Sequence, residues 1–102
     1  MSDKPIYPHD YEENEWRPVP GLKGYEVSSR CQVRRETTVI LLESMIDGPD
    51  SIVMIDGCLY SAGNLMMLAF VGPQPMGYIR KRRDPDDDSE WLPNMYYEPY
   101  RA

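Results

Sequence analysis

The residues best suited to chemistry lie close together near the C-terminal end, in residues 77–97 (GYIRKRRDPDDDSEWLPNMYY). Four consecutive cations there run directly into five acids: Arg80, Lys81, Arg82 and Arg83, then Asp84, Asp86, Asp87, Asp88 and Glu90. Side chains of these two types bind metal ions, phosphates or oppositely charged proteins. We therefore expect the upstream chain to be a small scaffold that positions this segment.

The cations suit the phosphates of a nucleic acid. Arg34 and Arg35 form a second basic pair that would extend such a surface. Alternate residues of a strand face opposite sides, so about two of the four cations in the run would reach one partner. The alternative is a local ion network in which Arg82 or Arg83 pairs with the acids. Exposed pairs of that kind stabilise a fold by less than about 1 kcal/mol each.

The acids suit a hard cation, but their spacing is unfavourable. Calcium-binding loops use acids at alternating positions, a bidentate glutamate and a glycine at the sharp turn. No glycine lies between Asp84 and Glu90, and the acids are crowded together. A solvated acidic loop is therefore favoured over a weak Mg²⁺ or Ca²⁺ site, for which the candidate ligands are Asp84, Asp86 and Asn94. No cofactor is predicted.

The composition predicts one small acidic domain. With 102 residues, ten prolines and seven glycines, the chain favours many short elements over a helical bundle. Its net charge of −6 and pI near 4.6 oppose general DNA binding. One histidine and two distant cysteines cannot supply a tetrahedral zinc site. Without a signal-like or membrane-spanning run, we expect a cytoplasmic protein with reduced thiols and no membrane association.

The sequence divides into an acidic arm and a body. Residues 1–15 are polar and acidic without a hydrophobic period, which predicts a flexible, solvated arm or an acidic tail that docks on a basic partner. Residues 16–102 form the predicted domain, with a β-rich part at 16–60 and a helix-containing part at 61–102. Its last residues are rich in aromatic side chains, which suit packing on the sheet, an interaction surface or a homodimer seam.

Two hairpins are predicted in the β-rich part. The first pairs residues 25–27 with residues 32–34 and buries Tyr25, Val27 and Val33. The second pairs residues 51–55 with residues 58–60 across Asp56-Gly57, because a tight hairpin turn needs residues that tolerate positive φ. Between them, residues 37–43 (TTVILLE) predict a further strand.

One helix is predicted, over residues 62–71. Ser61 is suited to cap its N-terminus, and Gly72 with Pro73 ends it. The helix is apolar on most sides, so we expect it to pack against the strands as the centre of the core.

Three segments in this order resemble one family. They are residues 15–28 (EWRPVPGLKGYEVS) followed by Val33-Arg34, residues 65–73 (LMMLAFVGP), and the charged stretch at 77–97. Together they are similar to the motifs of small phage HNH-type homing endonucleases that carry an N-terminal NUMOD-like module. The resemblance implies an α+β fold in which β-hairpins pack on one central helix, followed by a degenerate ββα-metal, HNH-like segment.

The departures from that family bear on activity. In the nuclease signature a histidine acts as general base, and nearby Asp, Asn or His groups hold a divalent metal ion. Aligned without gaps, Arg82 stands at the base position and Gly63 at a helix histidine, whereas Asp84, Asp86 and Asn94 are retained. Arginine cannot accept a proton near neutral pH. Further departures are Cys31 and Pro85 at glycine positions and Ser89-Glu90 at an asparagine pair.

Two functions remain open at this point. The favoured hypothesis is an inactive HNH-like protein that binds and inhibits a host or phage protein, such as one that handles nucleic acid. Its acidity suits a basic partner. The alternative is a DNA-binding protein or weak metal-dependent nicking enzyme that uses the basic hairpin at Arg34 and Arg35 with the run Arg80 to Arg83.

Overall fold

A computed structural model describes residues 4–36, 38, 40–47, 50–87 and 89–100. Within those residues, the strands form three antiparallel sheets beside one α-helix. In chain order the elements are β1 (Trp16–Pro18), β2 (Tyr25–Ser28), β3 (Val33–Arg35), β4 (Ser44–Asp47), β5 (Asp50–Ile55), β6 (Cys58–Ser61), α1 (Ala62–Phe70), β7 (Tyr78–Arg82), a 3₁₀ turn (Leu92–Asn94) and β8 (Met95–Pro99). The α+β class is as predicted.

The first sheet has the order β1-β2-β3. Its β2–β3 hairpin confirms the predicted alternation, because Val27 lies opposite Val33 and both are buried together with Tyr25. β1 pairs along the other side of β2 as an edge strand. An edge strand tolerates Pro18, since it needs fewer backbone donors than a central strand.

The turn between β2 and β3 places Cys31 in left-handed backbone, with φ of 62°. Ser28 stabilises this turn, because its Oγ accepts hydrogen bonds from the N–H groups of Arg30 and Gln32 at 3.1 and 3.3 Å. Left-handed backbone favours glycine. This is a physical reason for the glycine that the family resemblance expects at position 31.

The second sheet has the order β4-β5-β6. Its β5–β6 hairpin confirms the prediction, and Asp56 and Gly57 both have positive φ, at 50° and 81°. Such a two-residue turn matches the twist of the flanking strands. Val53 and Ile55 point from β5 into the core, where each is 2% exposed.

The prediction of a strand over residues 37–43 is wrong for the residues that the structure describes there. Residues 37 and 39 lie outside them, and Leu41 makes only an isolated bridge to Arg34. The strand begins instead at Ser44. A run of β-branched residues suits a pleated surface only where a partner strand lies beside it, and Ile40 is largely exposed.

The helix α1 confirms the predicted helix to within one residue. The Ser61 hydroxyl accepts from the N–H of Asn64 at 3.3 Å and caps the N-terminus. Val71 ends the helix, and Gly72 follows with φ of 128°. α1 packs against β1, β2, β5 and β6. Its Met66 and Met67 are fully buried, so the helix is the centre of the core.

The strands β7 and β8 form a separate two-stranded sheet after the helix. Leu92, Met95 and Tyr97 are buried and join the same core as α1. The Tyr97 hydroxyl donates to the carbonyl of Gly72 at 3.1 Å, which ties β8 to the end of the helix. No α-helix follows β8 in the described residues, which end at Tyr100.

The N-terminal segment, described from Lys4, lies against β8. Ile6 exchanges two backbone hydrogen bonds with Tyr97, at 2.8 and 3.0 Å. The ring of Tyr7 stacks on Tyr96 with 5.1 Å between centroids. The packing of Ile6 and Tyr7 on β8 differs from the prediction of a solvated arm. The prediction rested on the acidic composition of residues 1–15 and took no account of these two apolar side chains. The predicted boundaries after residues 15 and 60 stay predictions.

None of the helices described is long and apolar enough to cross a membrane.

We expect Met66→Ala to lower the free energy of unfolding by about 2–5 kcal/mol, because it leaves a cavity beneath the helix. Met66 is 0% exposed, whereas Met76 is 100% exposed. The matched control Met76→Ala should therefore change the free energy by no more than about 0.5 kcal/mol. Urea unfolding measures both. Equal effects would show that α1 is not the core element.

We also expect the protein to lose stability as the pH rises above about 10. Burial raises the pKa of the Tyr97 phenol, so the folded form keeps its proton while the unfolded chain ionises near its ordinary value of about 10. Below that pH the proton is bound in both states and the contribution is unchanged. Urea unfolding at increasing pH should show a shallower decline for Tyr97→Phe; an identical decline would contradict this.

The charged hairpin as candidate functional site

The register of β7 with β8 determines where the predicted cations point. Arg80 and Arg82 lie opposite Tyr97 and Met95, which are buried, whereas Lys81 lies opposite Tyr96. Arg80 and Arg82 are accordingly half-buried, and Lys81 is exposed. The run therefore divides between two faces, as the strand period of two requires.

Arg80 forms a buried ion pair with Glu90. Its Nη1 lies 3.1 Å from Glu90 Oε2, and the two side chains are 14% and 7% exposed. The other carboxylate oxygen of Glu90 accepts from the N–H of Ser51, the second residue of β5, at 2.8 Å. This pair thus joins the C-terminal hairpin to the second sheet.

The ion pair occupies the space beside the first turn of α1. A Cβ on Gly63 would overlap Arg80 Nη1 and would lie 2.6 Å from Glu90 Oε2. Glycine is thus the residue that fits without moving the pair. Gly63 is also the position at which the family resemblance expects a helix histidine, and a histidine could enter only by displacing these charges.

The acidic loop between β7 and the 3₁₀ turn is organised by Asn94. Its Oδ1 accepts from the N–H of Asp84 at 3.0 Å, and its Nδ2 donates to the carbonyls of Asp87 and Ser89 at 3.2 and 2.8 Å. The Asp84 carboxylate in turn accepts from the N–H of Asp86 at 3.0 Å. These polar groups are engaged in holding the loop together.

The residues predicted as weak metal ligands, Asp84, Asp86 and Asn94, belong to this network. In the described part of the chain, no three His, Cys, Asp or Glu side chains gather as a metal site. Asp88 lies outside the described residues. The weak Mg²⁺ or Ca²⁺ site at these residues therefore stays a prediction.

The other predicted binding cations also contact groups of the protein itself. Lys81 Nζ lies 3.2 Å from Glu98 Oε2, and Arg34 Nε lies 3.1 Å from Glu26 Oε1. The guanidinium groups of three of these predicted cations lie over aromatic rings. These are Arg34 over Trp16 at 3.9 Å, Arg35 over Tyr25 at 5.7 Å and Arg83 over Tyr7 at 4.8 Å.

Two further cations are neutralised on the side of the N-terminal segment. Arg17 Nε lies 2.5 Å from Glu15 Oε2, and this hydrogen bond lowers the pKa of the Glu15 carboxyl. Arg30 Nη2 lies 2.6 Å from Glu13 Oε1. Glu13 and Glu15, which were predicted to lie in a solvated arm, thus form ion pairs with arginines of the first sheet and of its β2–β3 turn.

A cleft of about 320 Å³ lies where three distant segments meet. It is lined by Tyr11, Glu13, Ser29, Arg30, Trp91 and Pro93. The Arg30 guanidinium lies over the ring of Trp91 at 4.8 Å, and burial raises the pKa of Tyr11. No sequence pattern indicated this cleft, because its walls come from the N-terminal segment, the β2–β3 turn and the residues before β8.

The fold places the protein in a recognisable structural class. It is similar to a solved structure of the HNH homing endonuclease I-HmuI, whose study describes DNA binding and cleavage, with a TM-score of 0.65 and 18% sequence identity. The likeness covers 79% of this chain and 50% of that one, so this chain spans half the length of the endonuclease it matches. At that identity the likeness shows an HNH-like fold. No protein family and no characterised protein matches the sequence.

We expect Glu90→Gln to lower the free energy of unfolding by roughly 3–5 kcal/mol, because Arg80 is left buried without its carboxylate. Glutamine keeps an acceptor for the Ser51 N–H. The double variant Arg80→Met/Glu90→Gln should cost less than the sum of the two single changes. Urea unfolding of the four proteins in the cycle measures the coupling.

The exposed pair Lys81–Glu98 is the matched control, with side chains 49% and 37% exposed. The same cycle with Lys81→Met and Glu98→Gln should give a coupling below about 1 kcal/mol. If the Arg80–Glu90 cycle is additive, the buried pair does not hold the hairpin.

Proposed function

We propose that this chain is a catalytically inactive HNH-like protein that binds and inhibits another protein, a host or phage protein that handles nucleic acid, in the cytoplasm of the host cell. The observation that carries the proposal is the internal neutralisation of its cations. Ion pairs within 3.2 Å connect Arg17, Arg30, Arg34, Arg80 and Lys81 to acids of the same chain. A phosphate backbone would have to compete with each of these acids.

The whole-molecule charge supports the same proposal. With a net charge of −6, the protein repels DNA and attracts a protein whose binding surface is basic. Complementary charge steers such an encounter and raises its rate. A protein that handles nucleic acid has a surface of this kind, and occupying it would exclude the nucleic acid.

The inactivity rests on two positions. Arg82, aligned with the general base of the family, ends β7 and is half-buried opposite Met95, and arginine cannot accept a proton near neutral pH. Gly63, aligned with the helix histidine, faces the Arg80–Glu90 pair, which fills the space of a side chain. Loss of general-base and metal assistance removes several kcal/mol of transition-state stabilisation, on the order of a thousandfold or more in rate.

The second candidate function is DNA binding with weak metal-dependent nicking. It is favoured by the likeness of the fold to an endonuclease that binds and cleaves DNA. The exposed positions of Lys81 and Arg83 on and after β7 would contact the phosphates.

Two measurements on the full chain separate these functions. We expect neither nicking of supercoiled plasmid with Mg²⁺ or Mn²⁺ nor retention of duplex DNA at physiological salt. We also expect affinity capture from nuclease-treated host lysate to recover a protein whose own DNA retention falls when this chain is added. That competition is the decisive readout, because the nuclease treatment removes partners bridged by DNA.

The triple variant Lys81→Ala/Arg82→Ala/Arg83→Ala is the matched control. If the protein acts on DNA, the variant loses duplex retention and nicking, and retention by the parent falls steeply with salt. That result overturns the proposal in favour of the second candidate. If the protein acts on a basic partner, the variant keeps capturing it.

A further inference from the structure

The outer face of the second sheet is apolar and exposed. Met45 lies opposite Ile52, and Met54 lies opposite Leu59. Directly opposed residues of antiparallel strands share a face, and Val53 and Ile55 point from the other face into the core. Met45, Met54 and Leu59 are 60%, 59% and 59% exposed. We call Met45, Ile52, Met54 and Leu59 the outer patch.

An exposed cluster of this kind is unusual in a protein with one small core. Scattered apolar side chains are ordinary on a surface, whereas a contiguous group on one sheet face marks a contact with another molecule. Methionine is suited to such a contact, because its unbranched side chain adapts to the shape of a partner.

The charge of the sequence segment that carries the outer patch has one sign. Between Arg35 and Arg80 the sequence contains five acids and no Lys, Arg or His: Glu36, Glu43, Asp47, Asp50 and Asp56. This stretch includes all of β4, β5 and β6. Glu43 precedes β4 and Asp56 lies in the β5–β6 turn, and both are exposed. The patch is thus an apolar surface in a purely acidic segment.

This segment carries nearly all the excess charge of the protein. Its five acids contribute −5 to the net charge of −6. The rest of the chain holds the other twelve of the seventeen acids and all eleven Lys and Arg, which nearly cancel. Long-range attraction of a basic partner would therefore be centred on the second sheet.

The charge also decides which occupant fits. A second copy of this chain would bring one segment with a charge of −5 against another, and like-charge contacts cost several kcal/mol. DNA is repelled for the same reason. An apolar protein segment flanked by Lys or Arg matches both the patch and its acidic surroundings.

We propose that the outer patch is the docking surface for the protein partner, and that the partner presents an apolar segment flanked by basic residues. The inference rests on the proposed function and makes it specific. Contact with Met54 and Leu59 holds the complex, while the surrounding acids steer the approach.

The seven methionines provide an internal test. In the full chain with methyl-labelled methionine, NMR titration with a synthetic peptide of alternating leucine and lysine should shift the Met45 and Met54 signals and leave Met76 unchanged. Met76 is fully exposed outside the patch. A peptide with serine in place of leucine keeps the charge and should bind at least about tenfold more weakly.

Matched variants test the same surface. The double variant Met54→Gln/Leu59→Gln should weaken binding of the leucine–lysine peptide by about tenfold or more, while Met76→Gln leaves it unchanged. Both sets of side chains are exposed, so the thermal midpoint should stay near that of the parent, which shows that the fold is intact.

The outcomes separate this inference from the proposed function. If the peptide binds saturably and with the same affinity to the parent and to the double variant, the protein-binding surface lies elsewhere. That result overturns only the inference. Methionine shifts that grow with protein concentration alone would identify a second copy as the occupant and also overturn it. Failure of the peptide to bind overturns the inference, and in combination with retention of duplex DNA it overturns the proposed function as well.

Discussion

The approach of Arg80 and Glu90 to the first turn of α1 is the contact on which the C-terminal hairpin depends. Taking two charges out of water is costly, and the cost is offset only by good geometry and further hydrogen bonds. Here one carboxylate oxygen faces the guanidinium and the other accepts from the backbone of Ser51. The absence of a side chain at Gly63 leaves room for both groups. One contact thereby connects β5, α1 and β7.

The consequence for the cations follows from the period of a strand. Once Arg80 faces inward, Arg82 shares its face and Lys81 must face outward. The outward lysine is then met by Glu98 from β8. The run of four cations, which composition presents as one basic surface, is thus divided between an interior ion pair at Arg80 and exterior contacts at Lys81 and Arg83. Composition alone therefore overstates the cationic surface of this hairpin.

Local sequence signals predicted the elements whose cause is local. Asp56-Gly57 predicts its hairpin because both residues accept positive φ, and Ser61 with Gly72 bounds the helix. The predicted strand at residues 37–43 failed because a strand needs a neighbour, which local propensity does not supply. The pairing of Ile6 with Tyr97 and the cleft beside Trp91 were missed for a related reason, since each joins segments distant in sequence. The Arg80–Glu90 pair joins nearby residues, but its burial depends on Gly63 and Ser51, which no motif connects to them.

Charge is distributed unevenly between the middle of the chain and its two flanking parts. The two flanking parts of the chain mix both signs and neutralise themselves, as the pairs Arg17–Glu15, Arg34–Glu26 and Arg80–Glu90 show. The middle part contains acids alone and exposes Met54 and Leu59 beside them. The charged segment at residues 77–97 is therefore close to neutral, and the unbalanced charge lies in the segment that carries the second sheet. The charged hairpin and the exposed apolar residues belong to different strands, so substitutions in one need not disturb the other.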